Sequence, residues 1–230
     1  MTSNQHPTIY VQPALFELGN TSSGTLELMP KLWFAAEALS SPNGADRRAG
    51  LSVIIDKKGA RLSPLLSYLV FTRLSDPDLA IRKSIVEALA DVLGPDEQGL
   101  PAPQQVRVNL YTHLSRMDKN HIFALLQVAD YDFSTDSQVE TLIKACTFSG
   151  DHLAEIVYDR SMPLDIREIA ATLIGRIGYL DAQPTLERLA NRLEAKVNGQ
   201  QVMPFNRMNG DDEVTLLPAI RTALELLGAP

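Results

Sequence analysis

The sequence predicts an all-helical protein built from stacked helix pairs, on three observations. From Gly24 onward apolar residues recur at three- and four-residue steps, short Gly, Pro, Asn and Asp clusters interrupt them, and two distant stretches repeat one pattern. No segment sustains the alternation of apolar and polar residues between hairpin turns that marks paired strands. With 45% hydrophobic and 21% charged residues in a chain of 230, there is enough apolar side chain to bury a continuous core without covalent staples.

Residues 1–24 read as an extended or partly disordered arm, broken by Pro7, Pro13, Gly19 and Gly24. Its apolar residues, Ile9 to Val11 with Leu15 and Phe16, are expected to pack against the first helices of a repeat domain spanning 25–230. The first helix covers 26–39. Asn43-Gly44 opens a second, carrying Leu51, Ile54 and Ile55, and Gly59 is expected to close it. Residues 62–74 then present Leu65, Leu66, Leu69, Val70 and Leu74 at helical spacing until Ser75-Asp76-Pro77-Asp78 stops them. Asp78 can cap the next helix, whose face is Ile81, Ile85, Ala88, Leu89 and Val92 and which ends at Gly94-Pro95. Two amphipathic helices joined by so short a turn must lie antiparallel.

Beyond a loop through Gly99, Pro101 and Pro103, helices are predicted over 104–114, from Asp118 through Ile122, Leu125, Leu126 and Val128, and over 137–147, 151–159, 164–177, 184–196 and 213–227. The loop at 197–212 is long for such an array, where about 2 to 8 residues are usual. Its apolar residues, Val202, Met203, Phe205 and Met208, either meet a partner or fold back to cap the end of the stack.

The repeat is carried by Asp78-Leu79-Ala80-Ile81-Arg82, running on to Ala88-Leu89 and Gly94, and by Leu164-Asp165-Ile166-Arg167, running on to Ala170-Ala171, Gly175 and Gly178. The Ile-Arg pairs lie 85 residues apart, about two units of roughly 40 to 47 residues. Ala45-Asp46-Arg47-Arg48 fits loosely, and the helix from Asp118 has Ile122 where the arginine would be.

These units, together with Asp181-Ala182-Gln183-Pro184-Thr185-Leu186, resemble the HEAT-repeat family, including its phycobilin-lyase-like subclass, over about residues 26–228. The resemblance implies a right-handed α-α superhelix, a HEAT/armadillo-like solenoid of about five helix pairs. It also implies an inter-repeat structural role for Arg82 and Arg167, each hydrogen-bonding an acidic residue or carbonyls of the next unit.

Catalytic constellations are thin. His6, His113, His121 and His152 are scattered, with no His-Glu-x-x-His, no Cys pair and no ligand cluster at metal spacing, so neither a metal nor another cofactor is expected. Cys146 sits in an apolar run as a buried thiol would. Gly175-Arg176-Ile177-Gly178 follows a helical pattern and lacks the phosphate-loop Lys-Ser/Thr, so it reads as a helix end. The net charge of −7 disfavours nucleic acid, no run is long and apolar enough to span a bilayer, and the polar start lacks the features of a secretory signal, which makes the cytoplasm the default expectation.

The expectation is therefore a non-enzymatic scaffold or adaptor that binds a protein or peptide through the solenoid surface. Positions one and five residues beyond each repeated arginine project outward on one side: Lys83 and Glu87, Phe123 and Gln127, Glu168 and Thr172. Phe123 would anchor a partner if it is exposed; Met203 and Phe205 would do so from the long loop. The alternative, from the phycobilin-lyase-like resemblance, is a bilin lyase-like or chaperone-like protein handling a tetrapyrrole or its acceptor protein.

Overall fold

Apolar periodicity and turn chemistry together divide the chain into helices, and the computed structural model, which describes residues 24–200 and 213–228, shows where each begins. In order these are α1 (Gly24–Ala38), α2 (Gly44–Asp56), α3 (Gly59–Leu62), α4 (Pro64–Phe71), α5 (Leu79–Leu93) and α6 (Gln104–Leu114). They continue with α7 (Lys119–Tyr131), α8 (Asp136–Lys144), α9 (Ser149–Tyr158), α10 (Leu164–Ile177), α11 (Gln183–Gln200) and α12 (Leu217–Gly228). Short 3-10 turns stand at Phe133–Thr135, Leu180–Ala182 and Glu213–Leu216, and no strand occurs among the described residues. No described helix is long and apolar enough to cross a membrane. Of the arm at 1–24 only Gly24 is described, and it opens α1; of the loop at 197–212, residues 197–200 belong instead to α11, and Met203 and Phe205 lie outside the described residues.

Side-chain caps set the N-termini of α2, α4, α5 and α7. Asn43 accepts from the Ala45 amide, Ser63 from Leu66, Asp78 from Ala80 and Ile81, and Asp118 from Asn120 and His121. Helices α3, α6, α8, α9 and α10 have no side-chain cap; at α10 Pro163 holds the cap position, and Asp165 is exposed in the first turn. Two expectations are corrected. The stretch predicted as one helix over 62–74 is divided, because Ser63 leaves helical geometry to cap α4, so α3 and α4 meet at a corner. Gly59 does not close α2; Lys58 takes the left-handed conformation (φ 50°) and Gly59 opens α3, where an added Cβ would stand 3.0 Å from Leu32 Cδ2. The run Gly175-Arg176-Ile177-Gly178 does end a helix: Gly178 (φ 86°) terminates α10, while Gly175 lies in its last turn, where a Cβ would come 2.7 Å from the Ala223 backbone of α12.

The apolar stripes of successive helices merge into one core, from Leu32 and Leu39 of α1 to Ile220 and Leu227 of α12. Within it α2, α5, α7, α10 and α12 form a row in which each helix contacts the next. An arginine occupies the fourth residue of three of them: Arg47 in α2, Arg82 in α5 and Arg167 in α10. Each reaches toward the next member. Arg47 donates to both oxygens of Asp76 (2.7 and 2.9 Å) in the turn before α5, and Arg82 to Gln127 Oε1 (2.7 Å) in α7. Arg167 donates to the Val157 carbonyl (2.8 Å) and to Glu213 (2.6 Å) at the entrance to α12. In α7 the fourth residue is Ile122, fully buried, and Lys119 makes the equivalent link to Asp159 (3.0 Å), just before α10.

Burying a guanidinium is tolerable only where its N–H groups find acceptors. Arg167, 2% exposed, meets that condition with a carbonyl and a carboxylate at once. Arg167→Ala should therefore lower stability by about 1–3 kcal/mol by orphaning the Val157 carbonyl, read as a lower urea midpoint at unchanged m-value. Arg167→Lys should recover only part of the loss, because an ammonium lacks the fork that serves both acceptors.

Candidate functional site: a groove walled by α7, α8 and α10

The face of α10 opposite its buried arginine carries Asp165, Glu168, Ile169, Thr172, Leu173 and Arg176, spaced by three and four residues so that they form one stripe. This stripe forms one wall of a groove of about 440 Å3, completed by Ala129 and Asp130 at the end of α7, Phe133, and Asp136 and Val139 of α8. Its floor is apolar. Along the rim stand four carboxylates, Asp130, Asp136, Asp165 and Glu168, against the single guanidinium of Arg176. That cation is already engaged, with Glu140 at 2.6 Å and Asp136 at 3.6 Å.

Phe133 is 75% exposed at the groove mouth. Its position follows from Asp132, whose Oδ1 accepts from the Ser134 amide (2.9 Å) and so bends the chain into a 3-10 turn that keeps Phe133 out of the core. The other oxygen of Asp132 accepts from Lys83 (2.6 Å). Hydrogen bonds from Lys83 and from the Ser134 hydroxyl and amide hold the Asp132 carboxyl at about 2, well below the usual range. Asp159 is lowered likewise by the Ser161 hydroxyl and amide and by Lys119. For Asp76 and Glu213 burial pushes upward, but hydrogen bonds and charge from the arginines outweigh it and both carboxyls lie low. Glu213 gathers three cations, with Arg167 at 2.6 Å, Arg192 at 2.7 Å and Arg160 at 3.4 Å.

The structure brings Glu168 and Thr172 together, both exposed, on the groove wall. Glu87 is exposed on α5. Three other projected positions do not face free solvent. Lys83 is half-buried between Asp132 and Glu87, Gln127 receives Arg82, and Phe123 packs against the core, because α7 lies in the middle of the row with neighbours on both sides. The exposed aromatic is Phe133 instead. The signal for it in the sequence was Asp132-Phe133-Ser134, an Asx-type turn directly after a helical run.

A second cleft, of about 770 Å3, lies between α1 and α4 and is lined by Leu32, Trp33, Phe34, Leu65 and Leu69, with Glu37 as its charged member. Cys146 is buried, its thiol facing the Met117 carbonyl at 3.5 Å, and burial raises its pKa. Among the described residues no group of three or more His, Cys, Asp or Glu side chains could hold a metal ion. Comparisons of the chain with protein-family models, with curated proteins and with solved structures found no match.

Two outcomes follow from these contacts. Arg82 is 8% exposed yet meets only a neutral amide at Gln127, burial lowers its pKa, and its Nε lacks a partner. Gln127→Glu should therefore raise stability by roughly 1 kcal/mol, seen as a higher urea midpoint that Arg82→Gln abolishes in a double-mutant cycle. The second concerns acid. Since the folded Asp132 carboxyl lies below its unfolded value, its contribution is complete above pH about 4 and is lost as pH falls toward about 2. Asp132→Asn should flatten the melting-temperature profile across that window.

Proposed function

We propose that this chain is a HEAT-type helical-repeat scaffold, a right-handed α-α solenoid that binds a protein or peptide partner through the groove of α7, α8 and α10. The solenoid reading is supported by the row α2, α5, α7, α10, α12 and by the arginine at one helix position of α2, α5 and α10, each reaching toward the next member. The binding reading is carried by one observation: an apolar floor with a three-quarters exposed phenylalanine at its mouth and carboxylates around it. Exposed aromatics beside a preformed depression, rimmed by polar groups, are the usual anatomy of an interaction site.

The tetrapyrrole alternative fits neither of the two clefts described. A bilin carries two propionates and calls for cations, whereas the α1/α4 cleft has Glu37 as its charged member and the α10 groove has four carboxylates to one engaged arginine.

A photo-crosslinking residue placed at Thr172 should give a discrete adduct in cells, and the same residue at Thr222 on α12 should not. Phe133→Ala should reduce the adduct about tenfold while leaving thermal melting unchanged, as expected of an exposed anchor. Equal labelling at both positions, or none at Thr172, would overturn the proposal.

A further inference from the structure

The charge around the groove is specific enough to state what enters it, and we infer that the occupant is a basic amphipathic helix of a partner protein. The inference rests on the reading of this groove as a peptide-binding surface and adds the chemistry of the peptide. Asp130, Asp165 and Glu168 are exposed and make no ion pair among the described residues, in contrast to Asp76, Asp132, Asp159 and Glu213, which are all matched by cations within the protein. Arg176 cannot answer them, being held by Glu140 and Asp136 on the α8 side. The unmatched carboxylates border the apolar floor, one near the end of α7 and two on the first turns of α10. A ligand that fills the floor with aliphatic side chains therefore brings whatever flanks them against negative charge. Lys or Arg there gains; Asp or Glu is repelled. The overall charge of −7 acts in the same direction at longer range.

The helical form follows from the walls. All three wall elements are helices, and no strand edge exists among the described residues to accept an extended peptide by backbone pairing. Side chains must do the recognising. A partner helix supplies apolar residues at i, i+3 or i+4 and i+7 for the floor and places cations on the two flanks of that stripe, where the rim stands.

The test uses the full chain and three labelled peptides of about 18 residues, roughly 27 Å as a helix, that share one leucine face and carry Lys, Gln or Glu on its flanks. The Lys peptide is expected to bind, with affinity falling as salt rises. Combining Asp130→Asn, Asp165→Asn and Glu168→Gln should weaken it roughly tenfold, the product of three modest exposed ion pairs. The same neutralisation elsewhere, Asp151→Asn with Glu155→Gln and Asp181→Asn, should leave it unchanged. Equal binding of the Lys and Gln peptides would overturn the charge inference and leave the peptide-binding reading standing. Equal weakening by both triple variants would also overturn it, reducing the effect to net charge. No binding of the Lys peptide would overturn it as well; the proposed function falls with it only if Thr172 gives no cellular adduct.

Discussion

A buried guanidinium must find its acceptors, and much of this structure is arranged around that constraint. The fourth residue of α2, α5 and α10 is an arginine whose stem lies in the core and whose head would be prohibitively costly there if unpaired. Apolar side chains alone would let neighbouring helices slide, since burial is non-directional. The bidentate pair of Arg47 with Asp76, and the double engagement of Arg167 with Val157 and Glu213, fix one helix against the next at particular residues. Around them Gly175 lets α10 and α12 approach at backbone distance, a contact that Arg167 secures at the other end of the same helix.

The groove is a consequence of the same arrangement. Because Arg167, Ala171 and Gly175 turn inward, helical periodicity sends Asp165, Glu168, Thr172 and Arg176 to the other side. There α10 meets α8 through the ion pairs of Arg176 with Asp136 and Glu140, which hold the two helices together at one end of the stripe. The apolar residues between them, Val139, Ile169 and Leu173, are left as a floor. The proposed scaffold role thus uses surface that the packing of the row creates.

Much of this was legible in the sequence, for local reasons. Helices 104–114 and 164–177 match their predicted bounds because proline precedes both and glycine closes the second, and Asp78 and Asp118 were recognisable as caps. Glu168 and Thr172 followed from spacing on α10 and do lie in the groove. Phe123 was projected outward by the same rule and is packed against the core, since periodicity gives the relative faces of a helix but not how many of them neighbours cover.

The sequence by itself determined the all-helical class, most helix limits and the repeated arginine, because these depend on hydrogen bonds and side-chain spacing within a few residues. Only the tertiary structure decided that Arg82 faces Gln127, that three cations converge on Glu213, that Lys83 is spent on Asp132, and that Asp165 and Glu168 remain unmatched beside an apolar floor. These contacts join residues 21 to 53 positions apart. Which carboxylate a cation reaches across such a distance depends on how the helices pack, and packing is a property of the whole core.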